Sequence, residues 1–255
     1  MVRGVEIFRN FFKDFTDNYI LIGGAACDEH LREAGLVFRA TKDLDIILVV
    51  EALSPDFIKH FWEFVKDAKF ENKEQSTGAR KYYRFSAPEN KDYPYQLELF
   101  SRNPDIFDLS EDTHLTPIPT DEDLSSLSAI LMNDDYYNFT KENSNVEHNL
   151  HCAGTTALIC LKARAFLDLR TRKENGEQID EKEIRKHKND VVRLAALLTA
   201  DDSRKLPFSI LTDMQHFMVM LSSEPTDYKA IGKSMGISNL YGDAIDSQLR
   251  STFSL

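Results

Sequence analysis

The run Thr41-Lys42-Asp43-Leu44-Asp45-Ile46-Ile47-Leu48 constrains this chain more than any other. Leu44, Ile46, Ile47, Leu48, Val49 and Val50 read as a buried β-strand, and two carboxylates stand inside it. Successive side chains on a strand point to opposite faces, so Asp43 and Asp45 share one face while Leu44 and Ile46 enter a core. Two carboxylates held side by side repel each other and pay for desolvation. Two arrangements relieve that cost. Either the strand lies at an edge with both aspartates in water, or a hard divalent cation sits between them. Mg²⁺ suits the second case, because it takes one or two carboxylates and completes its shell with substrate phosphates.

Upstream, Asn18-Tyr19-Ile20-Leu21-Ile22 is a short apolar strand that runs into Gly23-Gly24. A helix is expected over Ala25 to Ala34, with Ala26, His30, Leu31 and Ala34 at helical spacing. A strand–Gly-Gly–helix junction lets backbone approach a ligand closely and aims free helix N–H groups at an anion. Tight turns use the same two residues, so the pair gains meaning only from the aspartate strand one helix later.

The remaining pattern divides the chain near residue 150. Before it, residues 3 to 16 (with Ile7, Phe8, Phe11, Phe12, Phe15) form an amphipathic helix, and Ser54-Pro55 opens another over Phe57, Ile58, Phe61, Trp62, Phe64 and Val65. That aromatic stripe reads as core packing. Gly78 breaks the next segment, and Lys81 to Ser86 and Tyr93 to Phe100 alternate as strands. The second of these places Gln96, Glu98 and Phe100 on one face. Residues 101 to 123 are rich in proline and acid and are expected to be irregular. Leu127 to Thr140, centred on Asn133-Asp134-Asp135, reads as a hairpin, and Asn143-Ser144-Asn145 as a loop.

Beyond residue 150 the pattern is helical. Thr155 to Thr171 carries Leu158, Leu161, Ala165, Phe166 and Leu169 on one face, with Lys162 at its rim. Arg170 to Asp180 is expected to be a loop. Glu183 to Thr199 follows as a helix, on which Lys186 and Asp190, and Asp190 and Arg193, are spaced to pair along the surface. Short helices over Pro207 to Phe217 and Tyr228 to Met235 precede an ending, Ser247 to Leu255, expected to fray. From Lys162 to Arg193 there are ten Lys/Arg against seven Asp/Glu, a local +3 in a chain of −11. That stretch is either a solvated face or a phosphate-binding one, and the overall charge argues against a general nucleic-acid binder.

No run of about 18 apolar residues is present, so no membrane span is expected. Cys27, Cys152 and Cys160 have no metal-ligand spacing and are too few for a disulfide framework, which suits a reducing cytoplasm.

Gly23-Gly24 followed by Asp43-Leu44-Asp45 resembles the signature of the polymerase-β-like nucleotidyltransferase superfamily. Within it, the run from Ile22 to Ala26 and Phe38 to Asp45, with Leu161-Lys162-Ala163 and Lys186 to Val191, is similar to the AbiEii/AbiGii-type toxins of type IV toxin–antitoxin systems. The likeness spans about residues 18 to 198. Ala25 stands where many members carry a serine, which leaves the phosphate grip to backbone N–H groups. The long gap from Gly24 to Asp43 favours the toxin-like branch over tRNA-end-adding or aminoglycoside-modifying ones.

The resemblance implies an α+β nucleotidyltransferase fold, a mixed β-sheet flanked by helices over residues 1–150, with a helical C-terminal domain over 151–255. It implies an Mg²⁺-dependent transfer of a nucleoside monophosphate from an NTP to an acceptor hydroxyl, on RNA or protein, and a possible cognate antitoxin. Asp43 and Asp45 would hold the metal and Glu98 would join them as the third catalytic carboxylate. Gly23, Gly24, Lys42, Lys162, Lys186, His187 and Asp190 would bind nucleotide. Two other readings stay open: a non-catalytic nucleotide-binding module of the same fold, and a small-molecule transferase of the antibiotic-modifying kind. For Lys162 the alternative is a snorkelling rim lysine, and for His187 a satisfied structural histidine.

Overall fold

The computed structural model describes residues 2–76, 82–100, 116–118 and 133–255. The break expected at Gly78, most of the irregular stretch 101–123, and Leu127 to Met132 lie outside these residues. The architecture is α+β, a mixed sheet with helices against it plus a helical part, as expected. The described residues form two compact units that interleave along the chain. One is drawn from Met1–Ala26, Ala40–Ser128 and Ser144–Ala153, the other from Cys27–Arg39, Ala129–Asn143 and Gly154–Leu255.

The first unit is built on the strands β1 (Tyr19–Ile22), β2 (Asp43–Leu48), β3 (Phe70–Ser76), β4 (Tyr82–Pro88), β5 (Gln96–Phe100), β6 (Thr116–Ile118), β7 (Ser144–Glu147) and β8 (Leu150–Ala153). Their order in the sheet is β6-β3-β4-β5-β2-β1-β8-β7. The centre is buried: every residue of β1, and Leu44 to Leu48 of β2, is shielded from solvent. β2 pairs antiparallel with β1 and parallel with β5, and β5 pairs antiparallel with β4.

Two helices, α1 (Val5–Phe11) and α3 (Pro55–Ala68), supply the aromatic side of this core. Phe8 meets Tyr19 of β1 edge-on at 5.0 Å and Phe64 of α3 at 5.7 Å, and Phe61 meets Phe85 of β4 at 5.8 Å. Phe57, Phe61 and Phe64 are fully buried, so the stripe is packing, as the periodicity predicted. Ser54 caps α3 by accepting the Phe57 N–H, with Pro55 in the first turn, where its missing N–H costs nothing. A further helix, α2 (Gly23–Glu33), begins in this unit.

The second unit contains α4 (Asp134–Glu142), α5 (Thr155–Glu174), α6 (Glu181–Ala195), α7 (Phe208–Ser223), α8 (Tyr228–Met235) and α9 (Gly242–Phe253). Four local expectations are corrected. Tyr136 to Thr140 is helical and not the second arm of a hairpin. Asn133 accepts the Asp135 N–H as a helix cap, and Tyr136, Tyr137, Phe139 and Thr140 are buried at helical spacing. The loop expected at Asn143-Ser144-Asn145 is instead the start of β7. Its hairpin with β8 turns at His148-Asn149, both at positive φ (48° and 61°), in a turn whose residue pair lacks the usual glycine.

The expected loop from Arg170 begins later, because α5 continues to Glu174 before Gly176 (φ 97°) ends it. The chain ending does not fray. Ile245, Leu249 and Phe253, four apart, bury one face of α9, and the Thr252 carbonyl accepts the Arg204 N–H at 2.8 Å. Among the described residues no helix is long and apolar enough to cross a membrane.

Candidate active site

β-Sheet register builds the site in the first unit. On β2, Asp43 lies opposite Gln96 of β5 and Asp45 opposite Glu98; on β4, Arg84 lies opposite Glu98. Residues paired in register share a face, so Asp43, Asp45, Gln96, Glu98 and Arg84 stand on one face of three adjacent strands, each strand about 4.8 Å from the next. Asp45 is also opposite Ile22, the last residue of β1, which brings the Gly-Gly junction to the same place. The sheet therefore unites the two acidic elements that sequence pattern could only suggest were neighbours.

The glycines serve this closeness directly. Gly23 has φ 67°, and a β-carbon there would fall 1.7 Å from Asp45 Oδ2. A β-carbon on Gly24 would fall 2.6 Å from Thr41 Oγ1. Both residues lie in the first turn of α2, where backbone N–H groups have no partner within the helix. The helix thus starts two residues earlier than the sequence indicates, with the double glycine inside it and pressed against the start of the aspartate strand.

Asp45 and Glu98 are buried, at 9% and 6% exposure, in a place where unpaired carboxylates are costly. Glu98 is held through one oxygen: Arg84 Nε donates to Oε1 at 3.1 Å and Gln96 Nε2 donates to it at 2.8 Å. Arg84 escaped the sequence reading, although it alternates with Tyr83 and Phe85 and so was assignable to the polar face of its strand. Lys42, next to Asp43, lies with its ammonium 5.5 Å over the Tyr95 ring.

The donor set fits Mg²⁺ as a pair and not as a triad. Among the described residues no three His, Cys, Asp or Glu side chains converge as a ready ligand group. Asp43 and Asp45, two apart on one strand, supply the one or two carboxylates that Mg²⁺ takes when phosphates complete its shell.

The other sequence-derived candidates lie in the second unit. Asp190 on α6 is fully buried and does not pair with Lys186 along a surface. Arg39 Nε donates to Oδ1 at 2.9 Å and Arg39 Nη2 to Oδ2 at 2.7 Å, Arg193 Nη1 donates to Oδ1 at 3.2 Å, and Lys162 Nζ is 3.8 Å from Oδ2. Lys186 instead pairs with Glu183 at 2.7 Å. Lys162 is 3% exposed, deeper than the rim position its spacing implied. Arg39, 151 positions from Asp190 in the chain, is the partner no local pattern could supply.

His187 is buried beside this cluster. Burial first, then the charges of Lys162, Lys186 and Arg39, push its proton affinity well below the ordinary imidazole value of 6.5. The folded chain therefore keeps His187 neutral where the unfolded chain would protonate it. Its contribution to stability is complete above about pH 6.5 and is lost as pH falls below that, by at most about 1.4 kcal/mol per pH unit. Urea unfolding of the wild type is expected to show this decline between pH 7 and 5.5, and His187→Gln to show a shallower one. Equal pH slopes would assign the dependence to another group.

No protein-family model matches the chain, and no curated protein matches it. Among solved structures it is similar to an antigenic nucleotidyltransferase-like protein from Paracoccidioides brasiliensis, at 12% identity over 96% of this chain and 99% of that one, with a TM-score of 0.43. A likeness that distant assigns no residue and no reaction.

Proposed function

We propose that this chain is a metal-assisted nucleotidyltransferase that moves a nucleoside monophosphate from an NTP to an acceptor hydroxyl. The observation that carries the reading is the register of β1, β2 and β5, which gathers Asp43, Asp45 and Glu98 on one sheet face against the Gly23-Gly24 turn. Mg²⁺ held by Asp43 and Asp45 would polarise the α-phosphate and offset charge on the leaving group.

The acceptor oxygen attacks the α-phosphorus, the bond from that phosphorus to the bridging oxygen breaks, and pyrophosphate leaves with the electron pair. Glu98, oriented by Arg84 and Gln96, is assigned the acceptor proton. The N-terminal turn of α2 offers N–H groups to the triphosphate, and glycine at both positions lets that turn lie against Asp45 and Thr41. Lys42 is assigned to the nucleotide from its place beside Asp43. Lys162, Lys186, His187 and Asp190 belong to the other unit, and their assignment to nucleotide rests on the resemblance of their motifs.

That same resemblance supports an AbiEii-like toxin acting on RNA or protein in the cytoplasm, with a cognate antitoxin as partner. The test is incubation of the purified chain with each α-labelled NTP, Mg²⁺ and total RNA or cell protein. Label transferred to a macromolecule is expected, and no label with any NTP would remove the enzymatic reading. One observation favours a second reading, a nucleotide-binding module without catalysis: Glu98 is engaged by Arg84 and Gln96 and, among the described residues, is part of no three-ligand metal group. That module would be stabilised by NTP with Mg²⁺ and transfer nothing.

A further inference from the structure

A serine and a histidine meet at one end of the sheet, away from the carboxylates. There β7 is the last strand in the order and pairs antiparallel with β8. Ser144 stands opposite Ala153 and Val146 opposite His151, so Ser144 and His151 are diagonal neighbours on one face. Ser144 Oγ lies 2.8 Å from His151 Nε2, and His151 Nδ1 lies 2.8 Å from the Thr16 carbonyl oxygen.

That carbonyl fixes the proton positions. It can only accept, so Nδ1 of the neutral ring carries the hydrogen and donates it to Thr16. Nε2 is then the acceptor, and the Ser144 hydroxyl donates to it. A hydroxyl aimed at an unprotonated imidazole nitrogen, on a ring held by a third group, is how proteins activate a weak oxygen nucleophile. Both side chains are half-buried, and the neighbouring residues Asn145 to Asn149 are exposed. The hydroxyl therefore stands beside a surface that another molecule can approach.

Sheet register sets its distance from the carboxylates. Asp45 lies opposite Ile22, Leu21 opposite Cys152, and Ser144 opposite Ala153. Ser144 and Asp45 thus stand at about the same level, on the first and fourth strands from that edge. Three strand spacings separate them, roughly 14 Å. An attacking oxygen must come within about 3–3.5 Å of the atom it attacks. An NTP held at Asp43 and Asp45 is out of reach of the same chain's Ser144, whereas one held by a second copy is not.

We infer that Ser144 is a self-modification site, onto which a second copy of this chain transfers a nucleoside monophosphate. Ser144 Oγ attacks the α-phosphorus, and the bond from that phosphorus to the bridging oxygen breaks. Pyrophosphate leaves with the electron pair, and His151 Nε2 takes the hydroxyl proton. The inference rests on the transferase reaction proposed above and names this chain as a protein acceptor for it.

The test incubates the full chain with Mg²⁺, each α-labelled NTP and total RNA, and locates the label by peptide mass spectrometry. One nucleoside monophosphate on Ser144 is expected, and none at that peptide in Ser144→Ala. His151→Ala is expected to slow the modification about 10²-fold, with added imidazole restoring part of the rate. A histidine that only braced the hairpin would not be replaced by free imidazole. Asp45→Asn mixed with Ser144→Ala is expected to become labelled, with Ser144→Ala as the active copy. An unlabelled Asp45→Asn chain in that mixture would overturn transfer between copies. Label on RNA with Ser144 unmodified would overturn the inference and leave the transferase reading standing. No label on any molecule would overturn both. Modification as fast in His151→Ala as in the wild type would overturn activation by His151.

Discussion

Asp45→Asn is expected to lower nucleotide transfer by about 10³-fold while leaving the fold intact. The side chain is isosteric, so it fits the space beside Gly23 where Asp45 Oδ2 already lies within 1.7 Å of a would-be β-carbon. What changes is one negative charge in a buried position. A carboxylate ligand lost from a catalytic metal removes several kcal/mol of transition-state stabilisation, and each 1.36 kcal/mol or so is a factor of ten. Asp43→Asn is expected to behave alike, because both carboxylates share the face of β2 that Glu98 adjoins. The measurement is label transfer from the NTP that the wild type prefers, beside thermal unfolding with and without Mg²⁺ and NTP. Stabilisation that needs both ligands should vanish with transfer. Wild-type rates in either variant would remove these carboxylates from the chemistry.

Asp190→Ala carries the largest expected loss of stability, about 3–5 kcal/mol. Asp190 is fully buried and receives a two-nitrogen grip from Arg39, a further bond from Arg193, and the Lys162 ammonium at 3.8 Å. Its removal takes away the carboxylate that all three cations share. The cost is that of exposed desolvation in the partners, more than that of the lost bonds. Set against the 5–15 kcal/mol or so of a typical domain, such a loss moves the urea midpoint far. An unmoved midpoint would mean that Asp190 serves only a ligand, as its motif alone suggests.

How far the sequence carries depends on the range of each interaction. Alternation along β2 placed Asp43 and Asp45 on one face, and periodicity placed Phe57, Phe61 and Phe64 on the buried side of α3; both are consequences of backbone geometry within a few residues. Local signals also misled where they had two meanings. Asn133-Asp134-Asp135 suits a turn and a helix cap equally, and burial of Tyr136, Tyr137 and Phe139 chose the helix. The His148-Asn149 turn carries no glycine to mark it, although histidine and asparagine both tolerate the positive φ that it requires. The charged ending of α5 looked like a loop, yet its residues are good helix formers until Asn175 and Gly176.

Residue order alone established the strand with two aspartates, the glycine pair before it, and the mainly helical pattern beyond about residue 150, since each follows from short-range periodicity. Only the folded chain decided that Glu98 stands opposite Asp45 with Arg84 beside it, that Arg39 reaches across 151 positions to Asp190, and that His151 joins Ser144 to the Thr16 carbonyl. Those pairings depend on strand order and helix packing, through which buried charges find counter-charges far away in sequence, and no local pattern encodes that distance.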